Sequence, residues 1–293
     1  MAKSKALKGR IRSVQNTRKI TRTMELVATS KLKRAQDRVV SARPYAQALA
    51  GVIADLVTPE LAEQFPLLRR PVPPAQGGPV RAALLLVTSN RGLAGGFNSN
   101  LIKEAVRRIE ALEAAGYQVE LHSVGRKGAG YFRYLGRPLA SQATAAIEHP
   151  SAEAAAELVE GLLAEYAAGT LAGVDLVCAR FVSPISTPPT TVRILPVEAP
   201  PRAAGTTASY ILRPGADEIV GRLLPLYVRN QVYRGLVETS AAEHGARRTA
   251  MKNATDNAGE ILDVLRRTYN RQRQAQITQE IAEIVGGAAA LQG

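Results

Sequence analysis

The stretch with the strongest suggestion of chemistry runs Ser89, Asn90, Arg91, Gly92, Leu93, Ala94, Gly95, Gly96, Phe97, Asn98, between an apolar run and an amphipathic one. A glycine-rich turn from a strand into a helix is where backbone amides and a helix N-terminus can cradle phosphate. The spacing matches neither well-defined version. There is no G-x-G-x-x-G, and no Lys-Ser/Thr follows the glycines as a Walker A loop requires. Chain reversal by glycine is the simpler reading, and it applies equally to the turn Gly125, Arg126, Lys127, Gly128. His122, His149 and His244 lie far apart and carry no nucleophile-base or metal-ligand spacing. The one cysteine, Cys178, sits in an apolar run, where a thiol behaves as a small hydrophobe. A single cysteine excludes an internal disulfide and a multi-Cys metal site, and fits a reducing compartment. An active site belonging to this chain alone is unsupported.

Charge is the other functional signal. The 293 residues carry a net +13, unevenly spread: residues 1–43 hold 13 Lys/Arg against Glu25 and Asp37, residues 80–200 are neutral, and residues 201–293 are +3. A basic end can meet nucleic acid, an anionic membrane surface or an acidic protein. The first 43 residues contain no aromatic side chain to stack on a base, which puts an acidic protein partner ahead of a basic coiled-coil nucleic-acid-binding protein. No stretch approaches the roughly 18 consecutive apolar residues of a membrane span.

The elements that must position these residues follow from periodicity. From Ser4 to Val57, apolar or small residues recur in steps of three and four through Leu7, Ile11, Val14, Ala28, Leu32, Ala35, Val39, Leu49 and Ile53. This is a helix with one narrow buried stripe. Some fifty residues give a rod of about 80 Å, which needs another long helix to pack against. Pro44 is expected to bend it without ending it. A similar stripe from about Asp217 to Ala289, through Tyr233, Val237, Ala241, Met251, Ala258, Leu262 and Tyr269, supplies the partner. The two are expected to form an antiparallel coiled coil. Its stripe is interrupted by polar groups at Arg18, Thr21 and Glu25 and again from Arg266 to Gln276, which are either surfaces for another partner or tolerated seam residues. Between the rods, apolar strands at Ala82–Thr88, Tyr117–Val124 and Leu176–Val182 alternate with helices at Asn98–Ala115 and Ala152–Ala168. The pattern predicts a Rossmann-like α/β domain with a parallel sheet. The expected division is a coiled-coil helix over 1–58, a proline-rich linker over 59–79, the α/β domain over 80–200, a second linker over 201–216 and a coiled-coil helix over 217–293.

Three segments carry a family resemblance. The run from Ile11 to Lys31 (IRSVQNTRKITRTMELVATSK) closely resembles the opening of the γ subunit of F-type ATP synthase. The run from Ala250 to Glu260 (AMKNATDNAGE), with Tyr269, Asn270 and Ile277 to Ala290 (ITQEIAEIVGGAAA), resembles its ending, and Ser89 to Gly96 (SNRGLAGG) its central signature. Ala94 stands where the family often has Cys.

The resemblance implies a non-catalytic rotor without a cofactor. In this family the coiled coil turns inside a ring of three α and three β subunits, and the central domain meets the ε subunit and the membrane c ring. Proton flow through the c ring drives the shaft, which couples it to ATP synthesis or hydrolysis on the β subunits. Carried over by position, Arg22 and Met24 face the β lever, and Arg247, Gln274 and Thr278 pair with β loops. Without the family, these three would read as solvated helix residues. Tyr210 falls where the family approaches the c ring. With no transit-like leader, the expected location is the cytoplasmic side of a bacterial plasma membrane, held peripherally.

From the glycine loop comes a direct expectation: calorimetric titration of the full chain with MgATP shows no stoichiometric micromolar site. Such a site would overturn the reading of the loop as a simple reversal.

Overall fold

The structure, a computed structural model, describes residues 2–57, 63–69, 80–198 and 215–291. Helix α1 spans Ala2–Leu56 and continues through Pro44. Strand β1 (Val80–Val87), helix α2 (Phe97–Ala114), strand β2 (Tyr117–Val124), helix α3 (Arg126–Tyr134), strand β3 (Ser141–Ala143), helices α4 (Ala145–Glu148) and α5 (Ala152–Ala167), and strands β4 (Leu171–Ala179) and β5 (Pro189–Leu195) follow. Helix α6 closes the described chain at Ala216–Leu291. Two compact units result, Thr29–Arg247 and the pair Met1–Ala28 with Arg248–Gly293.

In the unit Thr29–Arg247 the sheet order is β3-β2-β1-β4-β5. The β1 register is parallel to β2, with Val80 opposite Tyr117 and Val87 opposite Val124. Strand β1 is apolar on both sides because both faces of the sheet are covered. Side chains alternate along a strand, so Ala83, Leu85 and Val87 enter one core and Leu84 and Leu86 the other. The first core is capped by α4, α5, Leu56 of α1, and Val220, Leu224, Val228, Val232 and Leu236 of α6. The second is capped by α2, Phe132 of α3, Leu32, Ala35 and Val39 of α1, and Val237 and Ala241 of α6. The terminal helices therefore belong to the α/β core as well as to each other, and the compact unit extends well beyond 80–200.

Three features differ from the sequence reading. The sheet is mixed, because β5 pairs antiparallel with β4. A short connection replaces a crossover helix there, and Pro189 opens an edge strand, a position where proline's missing N–H costs no ladder bond. The segment after Gly125 is the first turn of α3 rather than a reversal alone. In the expected linker, Phe65, Leu67 and Leu68 pack on the first core; Val197 N–H donates to Leu67 O at 2.8 Å and Tyr166 O–H to Arg69 O at 2.7 Å.

One buried charge is compensated inside the sheet. Asp175 on β4 accepts from Arg108 Nε at 2.6 Å and from Arg193 Nε at 2.5 Å, so its burial is matched by two guanidinium groups.

The junction of β1 with α3 requires glycine. Thr88 Oγ1 donates to Val124 O and accepts from Gly128 N–H, each at 3.0 Å, drawing the first turn of α3 onto the strand end. Gly125 has φ +92°, and a Cβ there would overlap the Thr88 carbonyl. Gly130, on the exposed side of the same helix, has open space around it. Gly125→Ala is expected to cost about 3 kcal/mol or more, from strain and overlap together. Gly130→Ala should stabilise by about 0.5–1 kcal/mol, because the unfolded chain loses freedom. Thermal unfolding of both variants checks the opposite signs.

Candidate partner interface

In the unit formed by the chain ends, α1 and α6 run antiparallel, with Thr21 beside Thr255 and Arg18 beside Gly259. Ala28, Met251, Ala258 and Leu262 are buried in the seam with Thr21, Glu25 and Thr255. The polar seam position is internally satisfied: Thr255 Oγ1 and Thr21 Oγ1 are 2.8 Å apart, and Thr21 also bonds Arg18 O. Glu25 accepts from Arg22 Nη1 at 2.9 Å. At Thr21 and Glu25, then, the seam tolerates polar residues rather than opening. The charge lies beside it. Arg18, Lys19, Arg22 and Arg266, with Asp256 as the one acid, line an open trough of about 830 Å³ whose floor includes Leu262. Gly259 leaves room for the Arg18 guanidinium to lie across α6.

Of the residues singled out by sequence, Arg22 is exposed and Met24 half-buried one position before Glu25. Gln274 and Thr278 are exposed on α6, where Thr278 Oγ1 bonds back to Gln274 O at 3.0 Å. Arg22 and Met24 share α1, Gln274 and Thr278 share one α6 face a turn apart, and no contact joins the two pairs among the described residues. Tyr210 lies outside the described residues.

Arg247 is different. It is buried, with Nη2 2.6 Å from a Glu243 carboxylate oxygen, 3.4 Å from Arg91 O and 3.3 Å from Gly92 O. A solvated helix residue was the reading from composition alone; the partners that bury Arg247 lie about 155 positions away in sequence, where local pattern is silent. The glycine loop it touches is closed by its own bonds. Ser89 N–H donates to Asn98 Oδ1, Asn90 Nδ2 to Thr144 O, and Phe97 N–H to Ala94 O. Those amides are occupied within the chain and do not point into an anion cradle.

Three buried titratable groups are shifted from their ordinary values. Burial, reinforced by Arg247, Lys31 and Arg34, pushes His244 down to about 4, so it is neutral at pH 7. Burial raises Glu243 above the ordinary carboxylate range, opposed by Arg247. The Cys178 thiol is pushed up to about 12 by burial and is unreactive at neutral pH. Among the described residues no group of three His, Cys, Asp or Glu could hold a metal, and no helix is long and apolar enough to cross a membrane.

One unit pairs antiparallel helices beside a basic trough, and the other is an α/β sheet covered on both faces. Comparison with known proteins gives the family. The family model described as ATP synthase matches residues 3–291. An ATP synthase gamma chain of Gemmatimonas aurantiaca is 61% identical over 296 residues, covering all of both chains. One of Frankia casuarinae is 41% identical, covering 96% of this chain and 95% of the relative. The fold is similar to a chain in the OSCP/F1/c-ring structure of Euglena gracilis mitochondrial ATP synthase, with TM-score 0.69 and 17% identity over 99% of this chain and 95% of the other. A chain of the rotor structure from the same organism gives TM-score 0.65 and 16% identity, covering 94% and 99%. The chain belongs to the ATP synthase gamma chain family.

The His244 shift sets a pH expectation. Its folded pKa, about 4, lies below the ordinary 6.5, so the unfolded chain binds more protons between these values. The stability contributed by neutral His244 is full above about 6.5 and lost as pH falls toward 4, up to about 3 kcal/mol. Glu243, shifted upward, offsets part of this loss as it protonates. Thermal unfolding should weaken over that window, and His244→Gln should flatten the decline; an unchanged slope would contradict the assignment.

Proposed function

We propose that the chain is the central-stalk rotor of F1, non-catalytic on its own, turning within a ring of α and β subunits that carries out ATP synthesis and hydrolysis. In this reading the helices 1–58 and 217–293 are the shaft, the domain 80–200 is the foot that meets the ε subunit and the c ring, and proton flow through that ring drives rotation. The observation that carries it is the basic trough beside an internally satisfied seam: Arg18, Lys19, Arg22 and Arg266 line it with Asp256, Arg22 paired to Glu25 and Arg266 3.8 Å from Asp263. Such a surface suits an acidic lever segment of the β subunits. Arg22 and Met24 are assigned to that contact, Gln274 and Thr278 to β loops further along α6, and Arg247 to the same partner at the glycine loop. Tyr210 is assigned to the c-ring side.

A second feature supports the reading. Ile277, Ile281, Ile284 and Val285 are exposed along α6, and no charged residue follows Glu283. An apolar helix end suits a surrounding sleeve in which no ion pair has to break at each step. The family leaves the nucleic-acid alternative without a supporting observation. A peripheral position on the cytoplasmic side of a bacterial plasma membrane follows from assembly with the c ring.

Co-expression with α and β subunits tests this directly: the three are expected to elute as one ATPase complex, and failure of the chain to join it would overturn the proposal. Single neutral replacements in the trough should be mild, below about 1 kcal/mol each, because exposed pairs are screened. Arg18, Lys19, Arg22 and Arg266 replaced together by Gln should weaken assembly, most visibly at low salt. Wild-type assembly of the fourfold variant would remove the trough from the contact.

A further inference from the structure

Nη2 of the Arg247 guanidinium lies 3.4 Å from Arg91 O and 3.3 Å from Gly92 O, in the loop between β1 and α2, and 2.6 Å from a carboxylate oxygen of Glu243, one turn earlier on α6, while Nη1 lies 3.4 Å from His244 Nδ1. One guanidinium nitrogen thus serves both loop carbonyls and the Glu243 carboxylate, in a plane that a rigid guanidinium fixes and a flexible ammonium does not. The loop it grips carries the one described non-glycine residue with left-handed backbone, Leu93 at φ 63°, whose side chain is 64% exposed. A leucine in that conformation is strained and persists only where its surroundings hold it. Beneath the tip, Ser89, Asn90 and Asn98 tie the loop base to the sheet end and to α4, and among the described residues the side-chain bonds from α6 to the loop are those of Arg247.

From this geometry we infer that Arg247 is a positioning residue, a latch that fixes the loop of residues 91–93 onto α6 and holds Leu93 outward as a preset knuckle. Glu243 is the second part of the latch. It neutralises the buried guanidinium and orients it, so that the pair presents donors to the loop at little charge cost. The role attributed to Arg247 by family position, contact with a β subunit, is on this account exerted through the loop it shapes. The latch stands on the chain's own contacts, and only its effect on a partner rests on the rotor reading.

The carbonyl of Arg91 belongs to the Arg91-Gly92 peptide bond, which trypsin would cleave after the exposed Arg91 side chain. While Arg247 bonds that carbonyl it cannot enter a protease oxyanion hole, so cleavage there reports release of the latch. In the full-length chain without partners, Arg247→Gln and Glu243→Gln are each expected to raise tryptic cleavage after Arg91 roughly tenfold, while cleavage after Lys103 within α2 stays at the wild-type rate. Arg247→Lys, which keeps the charge but not the fixed plane of the guanidinium, should fall between. Glu243→Gln, which keeps the side-chain volume, decides the matter if Arg247→Gln does not fold. An unchanged rate after Arg91, or a rise shared equally by Lys103, overturns the latch. Failure to co-assemble with α and β subunits would instead count against the rotor reading and leave the cleavage result standing.

Discussion

A sheet apolar on both faces must be covered twice, and the rest of the unit Thr29–Arg247 is arranged around that demand. Its own helices are too few. Helices α2 and α3 cover part of one face and α4 and α5 part of the other, and the terminal helices complete both. Helix α6 does so by changing face. Residues from Val220 to Leu236, spaced four apart, enter the first core, while Val237 and Ala241 enter the second. The change of face falls where α6 meets the end of β4. There Thr239 Oγ1 accepts from Ala179 N–H at 3.0 Å and Glu238 Oε2 from Phe181 N–H at 3.1 Å. Gly235 permits the approach, since a Cβ there would sit 2.7 Å from Leu176 Cδ2. This stretch of α6 is thereby fixed to the end of β4 by side-chain bonds as well as by packing.

In the unit formed by the chain ends the constraint is different, because no sheet is present and two helices must hold each other through a narrow stripe. Small residues, Ala28 and Ala258, bring the backbones close, and the Thr21–Thr255 bond pins the antiparallel register at one level. A polar pair satisfied inside a seam costs little and penalises slippage, since a shifted register would strand both hydroxyls. The cations beside the seam contribute little to the pairing itself. Arg22 bonds Glu25 on its own helix, and the trough they line faces outward.

The long stripes of α1 and α6, the doubly apolar β1 and the amphipathic α2 were legible because each is a local pattern repeated over several turns or strand residues. Strand β5 was not. Prolines at 188, 189 and 196 bracket it, and its pairing with β4 is a tertiary fact. Helix α3 was hidden by Gly125 and Gly128, which read as a turn; both face Thr88 at a distance too close for a side chain. Among site residues, Arg22, Gln274 and Thr278 lie exposed as their surroundings in sequence suggest. The burial of Arg247 could not be read, since nothing at positions 243–247 indicates that a loop some 155 residues earlier folds over them.

The glycine loop shows why a motif must be tested against its hydrogen bonds. Strand, glycine turn and helix N-terminus are all present, as in a phosphate cradle. In that arrangement amides would point outward as unsatisfied donors; here those of Ser89 and Phe97 are turned onto Asn98 and Ala94, and it is the carbonyls of Arg91 and Gly92 that meet a partner. Carbonyls repel a phosphate and attract a cation, and the cation present is Arg247. The same glycines that would let a backbone approach an anion let it fold over α6, so composition cannot tell a nucleotide loop from a latch, whereas the direction of its backbone dipoles does.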